Sequence, residues 1–249
     1  MYNGRYVIVL DPGHYAKQPN IGVVKGYYEG VMTFALAGYY KTELEKYGFI
    51  VYPTRTNTNS NPSLYSRGYM CKAKSADLFL SIHSNAAPKE ATKGAVVIYS
   101  VQRPETADFA KDLQVQIAKT MGSKVYGVWA KNSETQPNIK KDYYGVLSGA
   151  VYYAGVKQAF ILEHGMHTNT AECTWLMNDA NLRKMAADMA LLIAKEYGLY
   201  KAPVPVDVKD TQISALTKQV SDLLAKVTAL TADKVALSTK IANAIKSLN

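Results

Sequence analysis

Three observations predict an α/β fold: a mainly parallel twisted sheet flanked by helices on both faces, followed by a C-terminal coiled-coil helix. Short apolar runs alternate with segments of helical period over the first 200 residues, and such alternation marks βαβ units with parallel strands. The runs are apolar throughout, as in AFIL at 159–162 and LFL at 78–80, which suits strands covered on both faces. Beyond residue 210 the apolar residues recur three and four apart for about five heptads, the signature of a coiled coil. The organisation expected is therefore a domain over 1–200, a proline-containing linker over 201–210 and a coiled-coil helix over 211–249.

Arg5–Leu10 is a β-branched run that breaks at Asp11-Pro12-Gly13-His14, so Asp11 and His14 stand at the carboxyl end of a first strand. A glycine-rich loop leads to Tyr27-Tyr28-Glu29-Gly30. Val31–Tyr47 then carries Phe34, Leu36, Ala37, Tyr40 and Leu44 at helical spacing and closes on Gly48. Glu29 lies at the entrance of that helix, where a carboxylate meets the positive end of the helix dipole whatever else it does. Phe49–Thr54 reads as a second strand ending in Arg55, and a polar loop, TNTNSNPS, leads into a helix over Ser63–Ser75 that carries Arg67. Asp77–Ile82 is an apolar strand ending in His83-Ser84-Asn85, and Gly94–Ser100 is a further strand. Glu105–Met121 places Phe109, Leu113, Ile117 and Met121 on one helical stripe. Residues 122–158 read as irregular with one short helix or strand. Ala159–Glu163 is a strand that ends in a charge, followed by a loop with His164 and His167, and Asp179–Tyr197 is a last helix ended by Gly198.

Hydrophobic residues make up 48% and charged residues 20% of the 249, enough to bury a full core and too apolar for a disordered chain. The net charge of +9 points to an anionic partner, but the lysines are scattered and no nucleic-acid motif occurs, so nucleic acid is not expected. Cys71 and Cys173 have no CxxC pairing and read as buried free thiols. The opening MYNGRYVIVLDPGH enters a strand at once and lacks the parts of a signal peptide, which implies synthesis in the cytoplasm. No apolar run approaches the roughly 20 residues that span a membrane.

In parallel sheets, ligands bind outside the carboxyl ends of the strands. Three apolar strands end at His14, His83 and Glu163, so a parallel arrangement brings them to one rim, beside Glu29. Each alone is more often structural than functional. Together, two imidazoles and a carboxylate form a recurrent set for catalytic zinc, and a second carboxylate would serve as general base and acid. Glu29 and Glu163 are the two candidates, and residue chemistry alone does not assign the two tasks.

The segments DPGH (11–14), YYEG (27–30), PTR (53–55), LYSRGYMCKA (64–73), LFLSIHSNA (78–86), KGAVVIYS (93–100) and ILEHGMHTN (161–169) occur in order. In this the chain resembles, over essentially residues 4–198, the zinc-dependent N-acetylmuramoyl-L-alanine amidases of the amidase-3 type, found in bacterial autolysins and phage endolysins. The resemblance implies His14, Glu29 and His83 as ligands of Zn2+ and Glu163 as the catalytic carboxylate. It implies hydrolysis of the amide between the lactyl group of N-acetylmuramic acid and L-alanine in peptidoglycan, with a phage or prophage endolysin as the setting. Arg55, Arg67 and Asn85 match further family positions, as supports of the site or substrate contacts, with structural ion pairing the simpler expectation. His164 departs from the common motif, where an apolar residue follows the glutamate, and is read as a supporting or substrate-contacting residue. His167 is read equally as a surface residue. Lys74 stands where asparagine is common.

In the tail, Ala202–Asp207 is a proline-spaced linker. The heptad runs through Ile213, Leu216, Val220, Leu223, Val227, Leu230, Lys234, Leu237, Ile241, Ala244 and Leu248. β-Branched residues at the first core position with leucine at the second favour a parallel dimer, and a lysine in a core position sets register; the alternative is a helix folded back on its own domain. Two other functions compete with the amidase: a zinc peptidase or deacetylase acting on cell wall, and a non-catalytic wall-binding protein whose working part is the coiled coil.

Overall fold

A computed structural model describes residues 5–17, 20–200 and 208–246, with side chains in the last segment from 216 to 245. The linker residues 201–207 and the heptad position Leu248 lie outside the described residues, as does the side chain of Ile213. The chain divides into two compact units, Met1–Tyr200 and Lys201–Asn249.

The first unit runs β1 (Val7–Pro12), α1 (Glu29–Lys46), β2 (Ile50–Pro53), α2 (Leu64–Lys74), β3 (Leu78–Asn85), β4 (Ala95–Tyr99), a 3-10 turn (Pro104–Thr106), α3 (Ala107–Met121) and β5 (Val125–Trp129). It continues with α4 (Gly145–Leu147), a π-helix (Ser148–Tyr153), β6 (Gln158–Met166), α5 (Thr170–Leu176) and α6 (Asp179–Glu196). The six strands lie in the order β2-β1-β3-β6-β4-β5. β2, β1, β3 and β6 are mutually parallel. Side chains alternate across the sheet. Ile8, Leu10, Leu80 and Leu162 therefore join the core under α1, α3 and α6, while Val9, Phe79 and Ile161 join the one under α2 and α4.

β4 breaks the parallel pattern: it runs antiparallel to β6, with β5 parallel to it. The loop from Ala86 to Gly94 explains this, because a parallel return needs a crossover of about a dozen residues or more. Residues 122–158 hold both a strand and helical turns, more order than their sequence suggests. β5 is a half-exposed edge strand, so its residues lack the alternation of a buried face. The π-helix is pressed against α2 through glycines: a Cβ on Gly68 would lie 2.0 Å from the carbonyl oxygen of Val146, and one on Gly149 2.5 Å from that of Tyr65. The short α5 has no clear period in sequence. Its mark is the cap, Asn169, whose side chain accepts from the Glu172 amide at 3.0 Å.

Cys71 and Cys173 are buried and free. In the second unit, α7 (Val208–Lys246) is a single 39-residue helix. Leu216, Val220, Leu223, Val227, Leu230, Leu237 and Ile241 are each more than half exposed along it. No described helix is long and apolar enough to cross a membrane.

Candidate metal centre and active site

β1 delivers His14 through a tight exit. The Gly13 amide donates to the carbonyl of Ile82 at 2.9 Å, and a Cβ on Gly13 would meet the His83 ring at 2.2 Å; only glycine lets the two segments approach this closely. His14 itself has φ of 54°, a left-handed conformation costing a non-glycine residue about 1–3 kcal/mol, of the kind that gathers at functional sites. What holds it there is a pair of buried guanidiniums. Arg67 donates to the carbonyls of Pro12 (2.8 Å) and His14 (3.0 Å) and pairs with Asp11 at 3.0 Å. Asp11 also accepts from Thr54 (2.6 Å) and Ser81 (2.7 Å). Arg55 reaches Pro12 (3.0 Å), Gly13 (3.3 Å) and Gly30 (2.8 Å). Ion pairing was the expectation for both arginines. Arg67 makes such a pair, whereas the hydrogen bonds of Arg55 go to backbone carbonyls and Thr33. Burial and the neighbouring charge of Arg67 bring its pKa down to about 10, with Asp11 opposing the shift.

Glu29 opens α1 and is 1% exposed. Its Oε1 lies 3.1 Å from His83 Nδ1 and accepts from the Ser84 amide at 2.9 Å. Its Oε2 accepts from Asn20 at 2.8 Å and lies 3.4 Å from His14 Nε2. Burial opposes ionisation here, but the hydrogen bond and charge of His83, with His14 and Asn20, outweigh it and bring the pKa down to about 2. His83 mirrors this: burial works against its charge, yet Glu29, with help from Glu163 and Asp11, carries it up to about 9.

The donor atoms of His14, Glu29 and His83 thus lie within 4.8 Å of one another, and the His14 and His83 rings stand edge to face with centroids 5.0 Å apart. Two imidazole nitrogens around a carboxylate that stays ionised are a donor set suited to a divalent cation such as zinc. Glu163 faces this cluster as the register partner of His83 on β6. Its Oε2 is buried without a hydrogen-bond partner among the described residues, and burial raises its pKa to about 7, with His83 opposing and Glu29 assisting. A carboxyl so placed can hold or release a proton near neutrality.

The remaining sequence candidates divide. Asn85 lines the same cleft, its Oδ1 accepting from the Ala86 amide at 2.8 Å. β6 continues past Glu163 to Met166, and the alternation of the strand turns His164 away from the cleft. It is fully buried, with Tyr40 Oη 2.9 Å from Nε2 and the His83 carbonyl 3.1 Å from Nδ1. Of the two roles open to it, this geometry fits support of His83. His167 is no surface residue: it is 6% exposed and lines the cleft beside Glu29. Lys74 lies over the Tyr52 ring at 4.4 Å. Sequence reasoning passed over Asn20, which touches both His14 (3.0 Å) and Glu29; nothing about an asparagine in a polar loop singles it out.

The fold and this rim define an α/β protein with a His/Glu/His cluster able to hold a metal and, beside it, a carboxyl with one buried oxygen that has no partner among the described residues. Residues 8–195 match the family model of the amidase-3 type, described as N-acetylmuramoyl-L-alanine amidase, and the chain belongs to that family. It is 34% identical over 113 residues to N-acetylmuramoyl-L-alanine amidase AmiC of Neisseria meningitidis, covering 45% of this chain and 27% of that protein. It is 29% identical over 123 residues to N-acetylmuramoyl-L-alanine amidase LytC of Bacillus subtilis, covering 49% and 24%. The matches therefore span about a quarter of the length of these two relatives. The catalytic domain of CwlV, an N-acetylmuramoyl-L-alanine amidase from Bacillus (Paenibacillus) polymyxa, superposes with a TM-score of 0.65 at 22% identity over 78% of this chain and 99% of that one. That likeness establishes the shared fold.

Proposed function

We propose that the chain hydrolyses the amide between the lactyl group of N-acetylmuramic acid and the L-alanine of the stem peptide in peptidoglycan. The observation that carries this is Glu163: a carboxyl with a partnerless buried oxygen, poised near neutrality and set against a three-residue metal cradle. His14, Glu29 and His83 would hold Zn2+, which when bound acidifies water and polarises a carbonyl. Glu163 takes the proton of the attacking water and returns it to the leaving amine as the C–N bond breaks, so one carboxyl serves as base and then as acid. Ionised Glu29 is left to its ligand role, which separates the two tasks that sequence chemistry left open. The chain's +9 charge suits attraction to the anionic polymers of a bacterial wall.

Metal content paired with wall lysis tests the reading. About one zinc per chain is expected, consistent with a three-ligand catalytic site, with activity lost on chelation and restored by zinc. Glu163→Gln should abolish lysis and keep the zinc; loss of metal in that variant would mean the ligand and base roles are misassigned. Released intact stem peptides with free lactyl groups identify the amidase, whereas cut peptides or freed sugar amines would identify a peptidase or a deacetylase.

For the second unit we propose a parallel homodimer through α7. Its support is the exposed apolar heptad, with Val220 and Val227 preceding Leu223 and Leu230. Pairing would tether two hydrolytic units to one wall and raise avidity with no new wall contact.

A further inference from the structure

The cleft holds a third imidazole that the hydrolytic scheme leaves unused. His167 is fixed on three sides: its amide donates to the Asn85 carbonyl at 2.8 Å, its carbonyl accepts from Val23 at 2.9 Å, and its ring stacks on Tyr27 with centroids 5.7 Å apart. Its Nδ1 lies 2.9 Å from Ser84 Oγ, which lies 2.6 Å from Tyr27 Oη.

The hydrogens along this chain can be counted. A phenol keeps its proton at neutral pH, and the Tyr27 hydroxyl is buried with Ser84 Oγ as its partner; left undonated, that hydrogen would carry the penalty of an unsatisfied buried donor. Tyr27 therefore donates to Ser84. Ser84 has one hydrogen, and it goes to Nδ1 of His167. An imidazole that accepts at Nδ1 carries its own hydrogen on Nε2. Glu29 Oε2, at 3.9 Å from Nδ1, lies beyond hydrogen-bond reach. The result is an imidazole of fixed orientation among the residues lining the cleft, with Nε2–H as the donor left for a ligand.

We propose that His167 binds the substrate: its Nε2–H donates to the carbonyl oxygen of the scissile amide and holds it more tightly as negative charge develops there. The inference rests on the amide-hydrolysis reading. A donor of this kind acts mainly in the transition state, so its removal lowers kcat with little change in KM.

The test uses the full zinc-loaded chain and three readouts. His167→Leu should lower kcat about 100-fold, the usual effect of deleting one oxyanion donor, with KM and zinc content unchanged. His167→Gln, whose amide nitrogen can stand near the position of Nε2, should recover about tenfold of that loss, since a neutral donor is restored without the ring. Independently of activity, the 15N spectrum of the wild-type imidazoles should show a hydrogen on Nε2 of His167. A His167→Leu variant with wild-type kcat, a loss of zinc parallel to the loss of activity, or a ring whose single hydrogen sits on Nδ1 would each overturn the proposal. A wild-type chain that releases no stem peptides would instead remove the amidase reading, while the spectrum would still decide the tautomer.

Discussion

The two halves of the candidate site are held by different means. His83 and Glu163 sit on neighbouring parallel strands as register partners, so the backbone ladder sets their spacing. His14 and Glu29 stand on a strand exit and a helix entrance, with no ladder between them. Their positions depend on Arg55 and Arg67, which gather the carbonyls of Pro12, Gly13, His14 and Gly30. Regular structure places chemistry at little extra cost; a loop needs buried charge to do the same. The loop-borne half should therefore be the easier one to break.

Arg67→Ala should give the largest effect. It leaves the Asp11 carboxylate buried without its counter-ion, an arrangement that typically costs about 3–5 kcal/mol, and takes the guanidinium from the His14 carbonyl, while Pro12 keeps Arg55 as its donor. Urea denaturation of the metal-free chain should show that loss. A second change, Asp11→Asn, should recover part of it, because the unpaired charge is gone; Thr54 and Ser81 bond opposite oxygens of Asp11, so one would still donate to the side-chain carbonyl and the other would accept from the amide. Stability unchanged in Arg67→Ala would mean that the strand exit holds itself.

The strand-borne half has one side-chain strut of its own, His164, and pH exposes it. Burial pushes its pKa from the ordinary 6.5 to about 4, with the His83 and Leu162 backbone groups opposing the shift. The folded state keeps the ring neutral while the unfolded chain protonates it. The penalty is absent above pH 6.5, grows as pH falls towards 4 at up to about 1.4 kcal/mol per pH unit, and levels off below. His164→Gln removes this titration, so wild type and variant should differ in the slope of stability against pH inside that window alone. Parallel curves would place the imidazole in a wetter setting than its contacts with Tyr40 and the His83 carbonyl indicate.

Gly13→Ala probes the seam between the halves. The added methyl would meet the His83 ring at 2.2 Å without altering a ligand. Displacing an orienting contact of this kind commonly costs about 10- to 100-fold in metal affinity, which competition with a coloured chelator would measure. An unchanged affinity would mean that His83 can turn aside within the cleft, and the two halves would be less tightly joined than their contacts imply.

The same contrast explains what could be read in the sequence. His83 and Glu163 end apolar runs and His14 follows one, and a parallel sheet brings such ends together by topology; the rim was legible for that reason. Glu29 needed the resemblance, since a carboxylate at a helix entrance is commonplace. The side chains that join the halves could not be read. Asn20 lies in a polar loop, and the carbonyl clamp of Arg55 replaces the ion pair its charge suggests. His164 and His167 were ambiguous because the motif glutamate looks like a strand end, whereas β6 runs on to Met166, and strand alternation sends His164 to the α1 side. Residues 122–158 hid β5 because a half-exposed edge strand lacks the apolar signal of a central one.

The smallest effect on the cradle should come from the largest deletion. The core under α1, α3 and α6 is closed by residues no later than Tyr200, and the four groups at the rim belong to the same unit. Removing residues 206–249 should leave the zinc content and the urea midpoint of the first unit unchanged. What should change is mass in solution, from dimer to monomer, because the heptad of α7 has then been lost. Lysis of intact wall should fall more than turnover of a soluble muramoyl-peptide fragment, since avidity matters only where two units can engage one surface. An unchanged mass would remove the dimer and leave the hydrolytic reading untouched. A drop in zinc content would contradict the separation of the two units and tie α7 to the cradle after all.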